Sequence, residues 1–123
     1  MPTVLVVDDA VFMRATIKRM LENQQFEVIG EASNGNEAVE LYRQLLPDVV
    51  TMDITMPGMT GIEAVKAIVT EYPDAKIVMV TALGQQKLIV EAIENGAKDF
   101  ITKPFNPDQI VQVLQNVTSW NEN

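Results

Sequence analysis

Histidine and cysteine are both absent from this chain. Without them there is no Ser-His-Asp triad, no thiol nucleophile, no disulfide and none of the usual zinc sites. Carboxylate, lysine and hydroxyl chemistry remain, and the metal that suits them is a hard, oxygen-seeking cation such as Mg²⁺. Positive charge is scarce as well. Nine Lys and Arg stand against 17 Asp and Glu, a formal net charge of −8. A phosphate backbone is repelled by that balance, no basic cluster offsets it, and nucleic acid is excluded as a partner. Anionic membrane surfaces are disfavoured on the same ground. No apolar run approaches the roughly 20 residues that cross a bilayer, and no charged-then-apolar leader opens the chain. The lack of cysteine fits a reducing compartment. The expectation is a soluble cytoplasmic protein, and its 123 residues suit one domain, 1–123.

What is present is regular. Five short apolar runs, at 3–7, 26–32, 48–52, 76–80 and 99–102, alternate with five segments of helical period. Several of the runs are continuous rather than alternating, as strands covered on both faces are. The helical segments carry apolar stripes that read as core faces. These are Met13, Thr16, Ile17, Met20 and Leu21, then Ala38, Leu41, Tyr42 and Leu45. The third is Ile62, Val65, Ile68, Val69 and Tyr72, the fourth Leu88, Ile89, Ala92 and Ile93, the fifth Ile110, Val113, Leu114 and Val117. Asn34 with Glu37 suits a helix N-cap with a reciprocal acceptor, and Asn106-Pro107 a cap before a first-turn proline. Pro47 and Pro73 end helices, and Gly96 suits a left-handed C-terminal turn. The tail after Thr118 is sparse and carries the single tryptophan, Trp120. Five β-α units imply an α/β fold, an open parallel sheet with right-handed crossovers and helices on both faces.

Such a sheet binds ligands beyond the carboxyl ends of its strands. The first strand runs into Asp8-Asp9, the third into Asp53, the fourth into Thr81 and the fifth into Lys103-Pro104. Each alone has an ordinary reading: a cap for the first helix, a turn before Pro57-Gly58, a turn hydroxyl, a solvated lysine. Together they put two signs of charge and a hydroxyl at the ligand edge. Two carboxylates about 5 Å apart repel by roughly 3 kcal/mol at an effective dielectric near 20. One lysine does not balance three, and a divalent ion with oxygen ligands does. A metal beside a carboxylate and a lysine is also a place for a phosphoryl group, which aspartate can accept covalently.

The segments "VLVVDD", "VTMDITMPGMTG", "VMVTA" and "DFITKPF" resemble the receiver domain of two-component response regulators, in order and over essentially the whole chain. "DAVFMR", "MDITMP", "GQQ" and "GAKDFITKPF" are similar to the free-standing, CheY-like chemotaxis receivers of the Bacillus and Thermotoga type. The resemblance implies a flavodoxin-like strand order 2-1-3-4-5, taken from the family rather than from this sequence. It implies Asp53 as phosphoacceptor, and Mg²⁺ held by Asp9 and Asp53, by Asp8 through water and by the Thr55 backbone carbonyl. It further implies Lys103, Thr81 and the Ala82 N–H as phosphoryl ligands, Phe100 as the switch aromatic, and a cis Lys103–Pro104 peptide. The implied partners are a CheA-like histidine kinase, a FliM-like flagellar switch protein met by the helix 4–strand 5–helix 5 face, and an aspartyl-phosphate phosphatase. The implied state is a monomeric switch rather than an enzyme. Three positions depart from enteric or common members: Thr55 for asparagine, Ile54 for tryptophan and Phe100 for tyrosine.

Other readings stay open at this level. A receiver excised from a longer regulator has the same sequence. A receiver that has lost phosphorylation serves only as a surface. A phosphatase of the haloacid-dehalogenase type also uses an aspartate with Mg²⁺, but with a D-x-D signature on an early strand. A flavodoxin-like FMN carrier would need a phosphate loop where this chain has two aspartates.

Overall fold

The computed structural model describes residues 1–119, and Trp120 lies outside them. The elements alternate as β1 (Thr3–Val7), α1 (Val11–Leu21), β2 (Glu27–Ala32), α2 (Gly35–Leu45), β3 (Val49–Asp53), α3 (Gly61–Glu71), β4 (Ile77–Thr81), α4 (Gln86–Glu94), β5 (Asp99–Thr102) and α5 (Pro107–Thr118). All strands pair in parallel, in the order β2-β1-β3-β4-β5. The reversal of direction from β1 opens a crevice beyond the ends of β1 and β3.

The two-residue period of the strands divides the core. Leu5, Val7, Val50, Met52, Ile77 and Met79 point to one face, where Ile62, Val65 and Ile68 of α3 and Ala38 and Tyr42 of α2 cover them. Val4, Val6, Val49, Val78 and Val80 point to the other, under Ile17 and Leu21 of α1 and Ile110 and Leu114 of α5. No described helix is long and apolar enough to cross a membrane.

Several boundaries differ from the sequence reading. Phe26 is buried but precedes β2, while Asp48 and Lys76 precede β3 and β4. At the other end Asp53 and Thr81 are the last strand residues. Asp53 is paired with Val80, and the ladder continues through the Ile54 N–H to the Val80 carbonyl at 3.2 Å. The fourth stripe is only partly core. Ala92 is buried and Leu88 and Ile89 are half-buried, but Ile93 is 42 % exposed. This nine-residue helix packs on β4 and α3 at the margin of the sheet, with too little surface beneath it to cover both sides of the stripe. At α2 the Asn34 side chain accepts from the Glu37 N–H at 2.8 Å. The Glu37 carboxylate, however, accepts from the Ser33 N–H and hydroxyl, one residue before the expected partner. Complete capping boxes start α3, with Thr60 and Glu63, and α5, with Asn106 and Gln109.

Candidate functional site

Asp8 follows β1 directly. Its N–H continues the pairing to the Ala32 carbonyl at 3.1 Å, which draws the side chain under the surface to 1 % exposure. One carboxylate oxygen, Oδ1, accepts from the Ala10 N–H at 2.9 Å. The Asp8 carbonyl accepts from Arg14 Nη1 of α1 at 2.7 Å. The other carboxylate oxygen, Oδ2, is buried without a hydrogen bond. Neither aspartate caps α1, whose N-cap is Ala10 with no side-chain cap bond. The pair is therefore free for other work, and Asp9 beside it is exposed.

Asp53 ends β3, itself buried. Gly61, the first residue of α3, sits against its backbone and donates its N–H to the Ile54 carbonyl at 2.9 Å. A Cβ at Gly61 would overlap the Asp53 carbonyl oxygen. Only glycine lets the helix start this close to the carboxylate.

Thr81 ends β4, fully buried. Its hydroxyl donates to Gln85 Oε1 at 2.6 Å, and the Ala82 N–H donates to the same oxygen at 2.7 Å. Gln85 Nε2 donates to Thr55 Oγ1 across the crevice at 3.0 Å. Lys103 follows β5, with its N–H bonded to the Thr81 carbonyl at 2.7 Å and a cis peptide to Pro104. Its ammonium lies 3.6 Å from Asp8 Oδ2 and 3.9 Å from Asp53 Oδ1. Phe100, 40 % exposed, is on β5 two residues before Thr102, the partner of Thr81.

The structure thus brings Asp8, Asp9, Asp53 and Lys103 into one cluster, with Thr81 and Ala82 at its rim and Phe100 outside it. Burial, then the charge of Asp8, push the Asp53 carboxyl up to about 6, against the opposing pull of Lys103 and the Thr55 N–H. Burial also raises Asp8, opposed by the Ala10 N–H and Lys103. One ammonium facing three carboxylates leaves the cluster short of positive charge. Asp8, Asp9 and Asp53 each offer a carboxylate oxygen, all within 4.8 Å of one another. Asp8 also keeps one buried carboxylate oxygen, Oδ2, without a hydrogen-bond partner, and this donor set fits a divalent, oxygen-seeking cation.

Two participants escaped the sequence reading. Gly61 was visible only as part of "MPGMTG", because its closeness to Asp53 is a property of the folded loop. Gln85 stood in "GQQ", but an amide four residues after a strand carries no local sign of what it will reach.

The response regulator receiver domain family matches residues 4–115. The chemotaxis protein CheY of Thermotoga maritima is 55 % identical over 94 % of this chain and 96 % of its own length. CheY of Bacillus subtilis is 51 % identical over 90 % and 92 %. Among solved structures, the CheX-CheY-BeF3-Mg complex of Borrelia burgdorferi superposes with a TM-score of 0.88 at 36 % identity, covering 94 % of this chain and 87 % of that one.

Proposed function

Because this chain belongs to the response regulator receiver family, with CheY proteins among its relatives, we propose that it is a chemotaxis switch that carries a phosphoryl group on Asp53. The observation that carries this reading is the meeting of an acidic pair, buried at Asp8 and exposed at Asp9, with a buried strand-end carboxylate, a hydroxyl and a lysine at four neighbouring strand ends. In the proposed reaction an Asp53 carboxylate oxygen attacks the phosphorus of a phosphohistidine on a CheA-like kinase. The new O–P bond forms as the P–N bond breaks, and the imidazole leaves with its electron pair. Asp53 must be ionised to attack, and its raised pKa makes that depend on nearby positive charge. Lys103 supplies part of it and faces the incoming phosphoryl oxygens. The Thr81 hydroxyl and the Ala82 N–H are the donors for those oxygens.

Asp8, Asp9 and Asp53 would hold Mg²⁺, with the Thr55 carbonyl as a further ligand. Bound there, the ion would offset carboxylate repulsion and withdraw charge from the phosphoryl group. The beryllofluoride and magnesium named in the Borrelia complex support both assignments. The output surface in this reading is the α4–β5–α5 face, where Val90, Ile93 and Phe100 are exposed. The proposed target is a FliM-like switch protein. The proposed route back is an aspartyl-phosphate phosphatase together with slow hydrolysis promoted by the chain itself.

The test uses Mg²⁺ and acetyl phosphate. The chain should gain one base-labile phosphoryl group, and borohydride trapping with peptide mapping should find it on Asp53. Equal labelling of Asp53→Asn would sink the assignment.

A further inference from the structure

We propose that Gln85 is the resting occupant of the phosphoryl-oxygen position, a positioning residue that phosphorylation must displace. The inference rests on the reading of Thr81 and Ala82 as phosphoryl donors. Both donors are already engaged, and by one atom, Gln85 Oε1, at 2.6 and 2.7 Å. The orientation of the amide is fixed by chemistry. A backbone N–H can only donate, so the atom facing Ala82 is the oxygen. The nitrogen must then point away, and it meets Thr55 Oγ1 at 3.0 Å. Gln85 also occupies the N-cap position of α4 without making a side-chain cap bond. Its side chain serves the crevice rather than the helix.

A hydroxyl has one proton and a backbone amide has one. Neither Thr81 nor Ala82 can give a full hydrogen bond to a phosphoryl oxygen while giving one to Gln85. The side chain keeps the buried Thr81 hydroxyl satisfied at rest, and it lowers the fraction of molecules ready for the anion. Apparent affinity falls with that fraction. Displacing Oε1 also removes the reason for Nε2 to stay on Thr55, so the start of α4 is untied from the loop after β3. The event at Asp53 is thereby coupled to α4 through a broken contact.

Beryllofluoride in saturating Mg²⁺ is the probe, with affinity read by calorimetry. Gln85→Ala should bind it about five- to tenfold tighter, the size of one net hydrogen bond no longer broken. A merely structural Gln85 would give the opposite sign, because its loss would loosen the site. Separately, with no beryllofluoride present, the Ala82 amide should exchange with solvent faster in Gln85→Ala than in the wild type. Unchanged or weaker beryllofluoride binding by Gln85→Ala overturns the displacement and leaves Asp53 as acceptor. Unchanged Ala82 exchange overturns the contact itself. If Asp53→Asn binds beryllofluoride as well as the wild type, the acceptor reading fails, and Ala82 exchange still judges Gln85 alone.

Discussion

The Lys103 ammonium stands 3.9 Å from Asp53 Oδ1, beyond hydrogen-bond reach. It acts on Asp53 as a charge rather than as a bound partner. Lys103→Met should therefore move the titration of Asp53 in metal-free protein above its value of about 6. Carboxyl carbon NMR reads this directly. A midpoint that stays put would mean the two groups are not coupled.

The same carboxyl makes metal-free stability depend on pH with a defined sign. Asp53 keeps its proton up to about 6 when folded, and the unfolded chain releases it near 3.8. Between those values the folded state binds more protons, so this group's contribution falls as pH rises, and it is flat above and below. Asp53→Asn removes that loss. Its stability advantage over the wild type should grow by on the order of 2–3 kcal/mol between about pH 4 and pH 7.5. Urea unfolding across the range measures it. An advantage independent of pH would contradict the raised pKa.

Divalent cation should raise the melting temperature by binding only the folded state. A concentration 100-fold above the dissociation constant corresponds to about 2.7 kcal/mol. Asp9→Ala should lose most of that response, because one of three clustered carboxylates is gone. Calcium and magnesium melts of both proteins suffice. Identical Mg²⁺ responses would remove Asp9 from the site.

Gly61→Ala should destabilise the protein by about 3 kcal/mol, at the upper end of an overpacking cost, because its Cβ meets backbone and not a yielding side chain. The strain falls on the Asp53 carbonyl, so Mg²⁺ affinity should drop in the same variant. Thermal unfolding with and without the metal separates the two effects. A variant as stable as the wild type would show that α3 can retreat without cost.

Phe100 is the remaining switch candidate. At 40 % exposure its burial is already partly made. Turning it fully inward is worth about 1 kcal/mol, roughly a fivefold bias. Phe100→Ala should lose about that factor in the ratio of target affinities with and without beryllofluoride, while Phe100→Tyr keeps it. A full wild-type ratio in Phe100→Ala excludes the ring from transmission.

The fold was legible because strand and helix periods are local properties: every strand lies within one residue of its apolar run, and every apolar stripe falls inside a helix or within one residue of its end. The ends were less so. Asp53 and Thr81 look like the first residues after their strands because they are polar. Pairing with the neighbouring strand, a nonlocal matter, carries both strands one step further. The strand-end residues Asp8, Asp53 and Lys103 were likewise legible, since parallel strands deliver their ends to one edge. What Gln85 reaches was not, because it depends on how the loops after β3 and β4 face each other. The Thr60–Glu63 box, which was not among the caps read from the sequence, fixes where α3 begins beside Asp53.

The outer strands have a consequence for how the protein behaves in a crowd of its own copies. An open sheet has two unsatisfied rims, and an unsatisfied rim is a template for another chain. Here one rim is β5, only four residues long. The other, β2, skips a residue: Val28 pairs with Val4 but Gly30 with Leu5, which leaves Ile29 without a partner on β1. The skip bends the rim, and β2 also carries exposed Glu27 and Glu31, the latter bridged to Arg14 and Lys18 of α1. A second sheet arriving at either side finds a ledge that is too short or one that is kinked and charged, so a high concentration of this chain does not by itself lead to edge-to-edge fibres.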